Sequence, residues 1–180
     1  MNRYVAFLRG IGPSNPNMRN ENLRAVGESL GFQHVQTFIS SGNLIFDSES
    51  DDAAELEAML EAEWPRQLDF ESRTLIRSQS ELEDLVDLAP FGDRTHGPDT
   101  YLLVTFSKAT LEIDFELPHQ PPGRDLWAVS STEREIFTVT DTTSAATPDV
   151  MAWLEKEFGK NISSRTWLTV QRILKRMTHS

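Results

Sequence analysis

His34-Val35-Gln36-Thr37-Phe38-Ile39 is followed by Ser40-Ser41-Gly42-Asn43 and then by Leu44-Ile45-Phe46-Asp47. Two short runs rich in β-branched and aromatic residues thus enclose four small or polar residues that favour tight turns, which predicts a β-hairpin. Working outward, Tyr4 to Leu8 predicts a strand. Arg9 to Asn17, with Gly10, Gly12, Pro13 and Pro16, predicts a loop. Leu23, Val26 and Leu30 recur at helical spacing, so a helix is expected from about Met18 to Leu30, with Gly31 at its end. Beyond the hairpin, Ser50 or Asp51 opens a helix with Leu56, Met59, Leu60 and Trp64 on its buried face, and Pro65 is expected to stop it. Phe70 to Arg77 predicts the next strand. Ser78 or Ser80 opens a further helix through Leu88, and Ser80 with Glu83 matches a capping box. The resulting order, β-α-β-β-α-β, is the split βαβ pattern of the ferredoxin-like fold.

The second half is less regular. Tyr101 to Phe106 predicts a strand, Leu111 to Leu117 a weak helix, and Leu117 to Arg124 a proline-rich loop. Leu126 to Ser130 and Glu135 to Thr140 form a second hairpin pattern, and helices are expected over Asp149 to Phe158 and Arg165 to Met177. The expected fold class is α+β: a ferredoxin-like part over 1–93, and a smaller α+β part over 99–180 that ends in two helices and packs against it as one cooperative unit.

The chain has 180 residues, no cysteine and a formal net charge of −11. Lack of cysteine excludes a disulfide scaffold, a cysteine-ligated zinc site and a thiol nucleophile. The net charge argues against nucleic acid, whose phosphates demand a cationic surface. Residues 47–93 carry fifteen Asp or Glu against three Arg, a pattern read as solvated helix faces. From Lys160 onward there are five Lys or Arg and no acid. In the last helix Trp167, Val170, Ile173, Leu174 and Met177 share one arc, with Arg165, Arg172 and Arg176 opposite. The four tryptophans, Trp64, Trp127, Trp153 and Trp167, are expected as core or subdomain anchors. No run approaches the ~20 apolar residues of a membrane span, and no secretory leader pattern opens the chain. A cytoplasmic, acidic protein is expected.

No phosphate-loop, nucleophile-elbow or H-E-x-x-H pattern occurs. His34, His96, His119 and His179 share no metal-ligand spacing, so neither metal nor cofactor is expected. One geometric inference follows from the fold pattern. Neighbouring strands of a split βαβ sheet run antiparallel, which brings Arg9 to Pro16 beside Ser40 to Asn43 and the start of the first helix. Arg9, Gly10, Gly12, Ser40, Ser41 and Asn43, with Arg165 helping to close the site, make a candidate binding site for an anionic small molecule, phosphorylated or carboxylated. On the same residues, the plainer reading is that Gly and Asn only shape turns and Arg9 pairs with a carboxylate. Asp47 and His34 sit further along the hairpin strands, and His119 lies in the proline-rich loop. None is assigned as a general base, and no reaction or oligomeric state is read. The competing expectation is a protein–protein module using the acidic middle segment or the basic last helix.

Ala6-Phe7-Leu8-Arg9-Gly10-Ile11, Leu23-Arg24, Leu30-Gly31-Phe32, Thr37 to Phe46 and Arg165-Thr166-Trp167-Leu168-Thr169-Val170 resemble the mostly bacterial family known as domain of unknown function 1697. The resemblance implies an α+β fold with a ferredoxin-like part and an additional subdomain, and no activity. The chain departs from the family pattern at Gly12-Pro13-Ser14, where the family has N-V-G-G, and at Thr166, where the family has Asn.

Overall fold

The computed structural model describes residues 1–10, 14–39, 42–141 and 149–179. It is an α+β protein with two antiparallel four-stranded sheets and five α-helices among the described residues. The chain divides into two compact units, one of residues 1–84 with 173–180, the other of residues 85–172.

The first unit contains β1 (Asn2–Leu8), α1 (Asn20–Ser29), β2 (Gln33–Thr37), β3 (Asn43–Ser48), α2 (Ala53–Leu68) and β4 (Thr74–Ser78). Its sheet has the order β2-β3-β1-β4, every neighbouring pair antiparallel. Side chains alternate across a strand. Tyr4, Ala6 and Leu8 from β1, Leu44 and Phe46 from β3 and Ile76 from β4 therefore share one face. They pack there with Leu23 and Val26 of α1 and Leu56, Leu60 and Trp64 of α2. Arg3 and Asp47, paired across β1 and β3, fall on the opposite face.

Three local readings are corrected. The first helix begins at Asn20 rather than Met18, because Pro16–Met18 forms a separate 3-10 turn capped by the Asn15 side chain, which accepts from Asn17 N at 3.0 Å. Pro65 does not stop α2, which runs on to Leu68. Proline loses one helical hydrogen bond, but fully buried Trp64 anchors the preceding turn. Arg66 Nε and Gln67 Nε2 donate to the Glu63 carboxylate across the proline, at 2.8 and 2.6 Å to Oε2. The capping box of α3 (Gln79–Asp87) is Ser78 with Glu81, not Ser80 with Glu83. Glu81 N donates to Ser78 Oγ at 3.2 Å and Ser78 N to Glu81 Oε2 at 2.8 Å.

The acidic stretch is only partly a solvated face. β4 is an edge strand, and its outward N–H groups would template foreign strands if left open. Carboxylates close them: Thr74 N donates to Glu61 Oε1 at 2.8 Å, Ile76 N to Glu57 Oε1 at 2.9 Å, and Ser78 N to Glu81 Oε2 at 2.8 Å.

The second unit holds β5 (Thr100–Ser107), β6 (Leu126–Ser131), β7 (Glu135–Asp141), α4 (Asp149–Phe158) and β8 (Ile162–Thr166), in the sheet order β6-β7-β5-β8. The last helix, α5 (Trp167–Thr178), begins in this unit and ends in the first. β8 replaces what the sequence reads as the start of that helix. Its strand form comes from pairing with β5, Leu103 with Thr166 through Ser107 with Ile162. Thr166 Oγ1 accepts from Thr169 N at 3.2 Å, so Thr166 is the N-cap of α5. Leu111 to Leu117 is not helical. Leu111, Ile113, Phe115 and Leu117 pack on the second core while Glu112, Asp114 and Glu116 are exposed, an alternation of period two. Trp64, Trp153 and Trp167 are buried as expected, but Trp127 on edge strand β6 is exposed.

Candidate functional site

The edge foreseen from the sequence forms in part. Leu8 N donates to Gly42 O at 2.9 Å, which joins the end of β1 to the β2–β3 turn. Gly42 has φ +73°, and a Cβ there would lie 2.7 Å from Met18 Cε and 3.0 Å from Leu8 Cβ. Gly42→Ala is therefore expected to lower unfolding free energy by about 1–3 kcal/mol, read from a urea denaturation midpoint; an unchanged midpoint would mean the turn relaxes freely. Arg9 is half-buried. Its N–H donates to Arg73 O at 2.9 Å and Ser72 Oγ at 3.0 Å, and Ser72 Oγ donates to Arg9 O at 2.7 Å. Gly10 is exposed. Asn43 is buried, and its Nδ2 donates to Phe38 O at 3.0 Å, closing its own turn. Gly12, Ser40 and Ser41 lie outside the described residues. Arg165 sits in the second unit on β8 rather than on a helix. Its Nη1 donates to Ser163 Oγ at 2.9 Å and Ser164 O at 2.8 Å, and burial pulls its guanidinium down to about 10.

The opposite end of the same sheet carries a denser polar cluster. A cavity of about 380 Å³ is lined by Arg3, His34, Gln36, Asp47, Arg176 and His179, all within the first unit. That volume suits a small molecule. Register explains the convergence: β1 brings Arg3 opposite Asp47, and β2 brings Gln33 opposite the same Asp47. Between Gln33 and Gln36 the β2 register slips by one residue, a bulge in which His34 has φ +49°. A bulge re-aims a side chain, and a left-handed conformation in a non-glycine residue holds strain.

Asp47 is the hub. Arg3 Nη1 donates to its Oδ1 at 3.0 Å, and His34 Nδ1 meets its Oδ2 at 2.7 Å. Arg3 and Asp47 side chains are 14% and 15% exposed, His34 68%. Arg3 Nε and Nη2 are buried and find no hydrogen-bond partner among the described residues. From the end of α5, Arg176 Nε donates to Gln36 Oε1 at 2.9 Å, and His179 Nδ1 lies 2.8 Å from Lys175 O. The lining carries two guanidinium groups against one carboxylate, a formal +1 with both histidines neutral. The other two histidines have structural partners: His96 Nδ1 accepts from Leu102 N at 3.1 Å, and His119 stacks on Phe115 at 4.2 Å between ring centres. No described helix is long and apolar enough to cross a membrane.

Nothing in the sequence joins Asp47, His34 and His179, and Arg3 belongs to no motif there. A charged Arg3 in an otherwise apolar first strand was the available signal.

A family model described as Protein of unknown function (DUF1697) matches residues 1–137. The chain belongs to this family. The match takes in the β1 loop and the hairpin, so the resemblance read there holds; Arg165 to Val170 lie beyond the matched segment. The solved structure of the conserved bacterial protein SP0830 from Streptococcus pneumoniae is similar over 99% of each chain, with a TM-score of 0.72 and 23% identity. At that identity the likeness between this family member and SP0830 concerns the fold alone. No curated protein matches the chain.

Proposed function

We propose that the first unit is a ferredoxin-like domain that binds a small anion, phosphorylated or carboxylated, in the cavity around Arg3. The sheet order β2-β3-β1-β4 supports the fold reading. One observation carries the function: Arg3 keeps Nη1 on Asp47, while Nε and Nη2, the edge of the guanidinium that grips two oxygens at once, have no partner among the described residues. Buried donors left unpaired are costly, so such an edge calls for an acceptor. Neither atom touches bulk water, so a ligand reaches them through a local shift of the cavity wall. Arg176 adds a second cation, and the formal +1 lining stands within a protein of net charge −11.

The test is a thermal-shift titration with inorganic phosphate, phenyl phosphate and citrate. At 100 times its dissociation constant a ligand adds about 2.7 kcal/mol, roughly 5–10 °C for a chain of this length. Arg3→Gln and Arg176→Gln are expected to weaken that ligand at least about tenfold, with Arg9→Ala leaving it unchanged. The Leu8–Gly42 contact favours a second reading, an anion at the β1 loop with Arg9 as its clamp. That reading takes over if Arg9→Ala alone abolishes the shift. No shift with any of the three compounds sinks both. A cytoplasmic location fits a chain without cysteine.

A further inference from the structure

We propose that the same cavity is an acid–base catalytic site that cleaves phosphodiesters, with His34 as the base and His179 as the acid. This rests on the anion-binding reading above and deepens it. Two histidines line one cavity, and each has Nδ1 engaged by an acceptor, the Asp47 carboxylate for His34 and the Lys175 carbonyl for His179. An acceptor at Nδ1 keeps a proton there and leaves Nε2 as the nitrogen that exchanges protons with an occupant. Asp47 is then a positioning residue. Held by Arg3 Nη1 on its other oxygen, it orients His34 and favours the imidazolium that forms when His34 accepts a proton. The strained bulge at His34 fits this role, since strain of this kind clusters where a side chain must be aimed. His34 is also open to water, which supplies the nucleophile.

The step balances without a cofactor. A water oxygen attacks phosphorus as its proton passes to His34 Nε2, and the new P–O bond forms. The P–O bond to the leaving alkoxide breaks with its electron pair, and His179 Nε2 supplies the proton that alkoxide needs. One phosphomonoester and one alcohol result, and the site resets when His34 releases its proton to solvent and His179 takes one up. A diester carries one negative charge and its pentavalent transition state two. Arg3 and Arg176 supply the cationic charge facing it. Asp47 remains bound to Arg3 and His34 throughout the step. The charged and titratable groups lining the cavity with His34 are Arg3, Asp47, Arg176 and His179.

Release of 4-nitrophenolate from bis(4-nitrophenyl) phosphate by the full chain is the assay, with phosphate thermal shifts run in parallel. His34→Gln is expected to lower kcat by at least about 100-fold, and His179→Gln to do so for a dialkyl phosphate, whose leaving group needs the proton that 4-nitrophenolate does not. Phosphate binding should stay within severalfold. Phosphate binding without nitrophenolate release above buffer overturns catalysis and leaves the anion site standing. Failure of both overturns both. Turnover that survives in both histidine variants places the chemistry elsewhere and also overturns the proposal.

Discussion

Asp47→Ala is expected to destabilise the protein by up to about 3–5 kcal/mol, because it removes the carboxylate partner of a largely, not fully, buried cation. The Arg3 guanidinium is 14% exposed, and Asp47 is the acceptor recorded for it. With Nε and Nη2 already lacking described partners, removing the carboxylate would leave Nη1 without this partner too. The double change Arg3→Met with Asp47→Leu removes the charge along with its partner, so its cost should be well below that of Asp47→Ala. Urea unfolding of the wild type, Arg3→Met, Asp47→Leu and the double variant measures the coupling directly. A loss under about 1 kcal/mol for Asp47→Ala would show the pair behaving as a solvated one, and the case for a pre-formed anion edge on Arg3 would fall with it.

Trp64→Ala should cost about 3–5 kcal/mol, the range for emptying a large aromatic site in a core. Trp64 is fully buried on α2, stacks on Phe70 at 5.8 Å between ring centres, and donates from Nε1 to Thr74 Oγ1 at 2.9 Å. That bond ties the helix to the edge strand β4. Trp64→Phe keeps most of the ring volume and loses the donor, so it should cost less, with the lost bond to Thr74 Oγ1 contributing about 1 kcal/mol while that hydroxyl keeps its bond to Ser72 O. Denaturation midpoints followed by tryptophan fluorescence from the other three indoles, or by circular dichroism, give both numbers. Equal losses for Ala and Phe would mean the hydrogen bond, not the volume, anchors α2. That outcome would also undo the explanation for the helix running through Pro65.

The binding-site residues show where local reasoning stops. Arg9 and the Ser40–Asn43 turn are legible because a hairpin and the next strand's exit are fixed by alternation and turn chemistry. Their nearness is expected from strand order alone; among the described residues Leu8 N donates to Gly42 O, the contact between the end of β1 and that turn. The role of Asn43 was not legible. An Asn in a turn serves ligand or backbone equally well on paper, and only the 3.0 Å bond to Phe38 O commits its amide to the turn. Arg3 and Arg176 meet at one cavity although nearly the whole chain separates them, and no periodicity encodes that meeting.

By itself, the sequence determined the β-α-β-β-α-β order of elements in the first unit, the two hairpins, the helical faces of α1, α2 and α5, and the family, because each depends on neighbours within a few residues. Tertiary structure decided the rest. β8 is a strand because β5 supplies its partners, although its last two residues, Arg165 and Thr166, read from the sequence as the start of the helix that follows. α2 passes through Pro65 because burial of Trp64 outweighs one lost hydrogen bond. Glu57, Glu61 and Glu81 are edge seals because β4 ends the sheet beside them, whereas composition reads them as solvent-facing charge. The register slip in β2 puts His34 on Asp47, and the bulge responsible is set by pairing with β3 rather than by any residue in β2 that demands it. In each case the deciding energy lies in a contact distant along the chain, which a local pattern cannot carry.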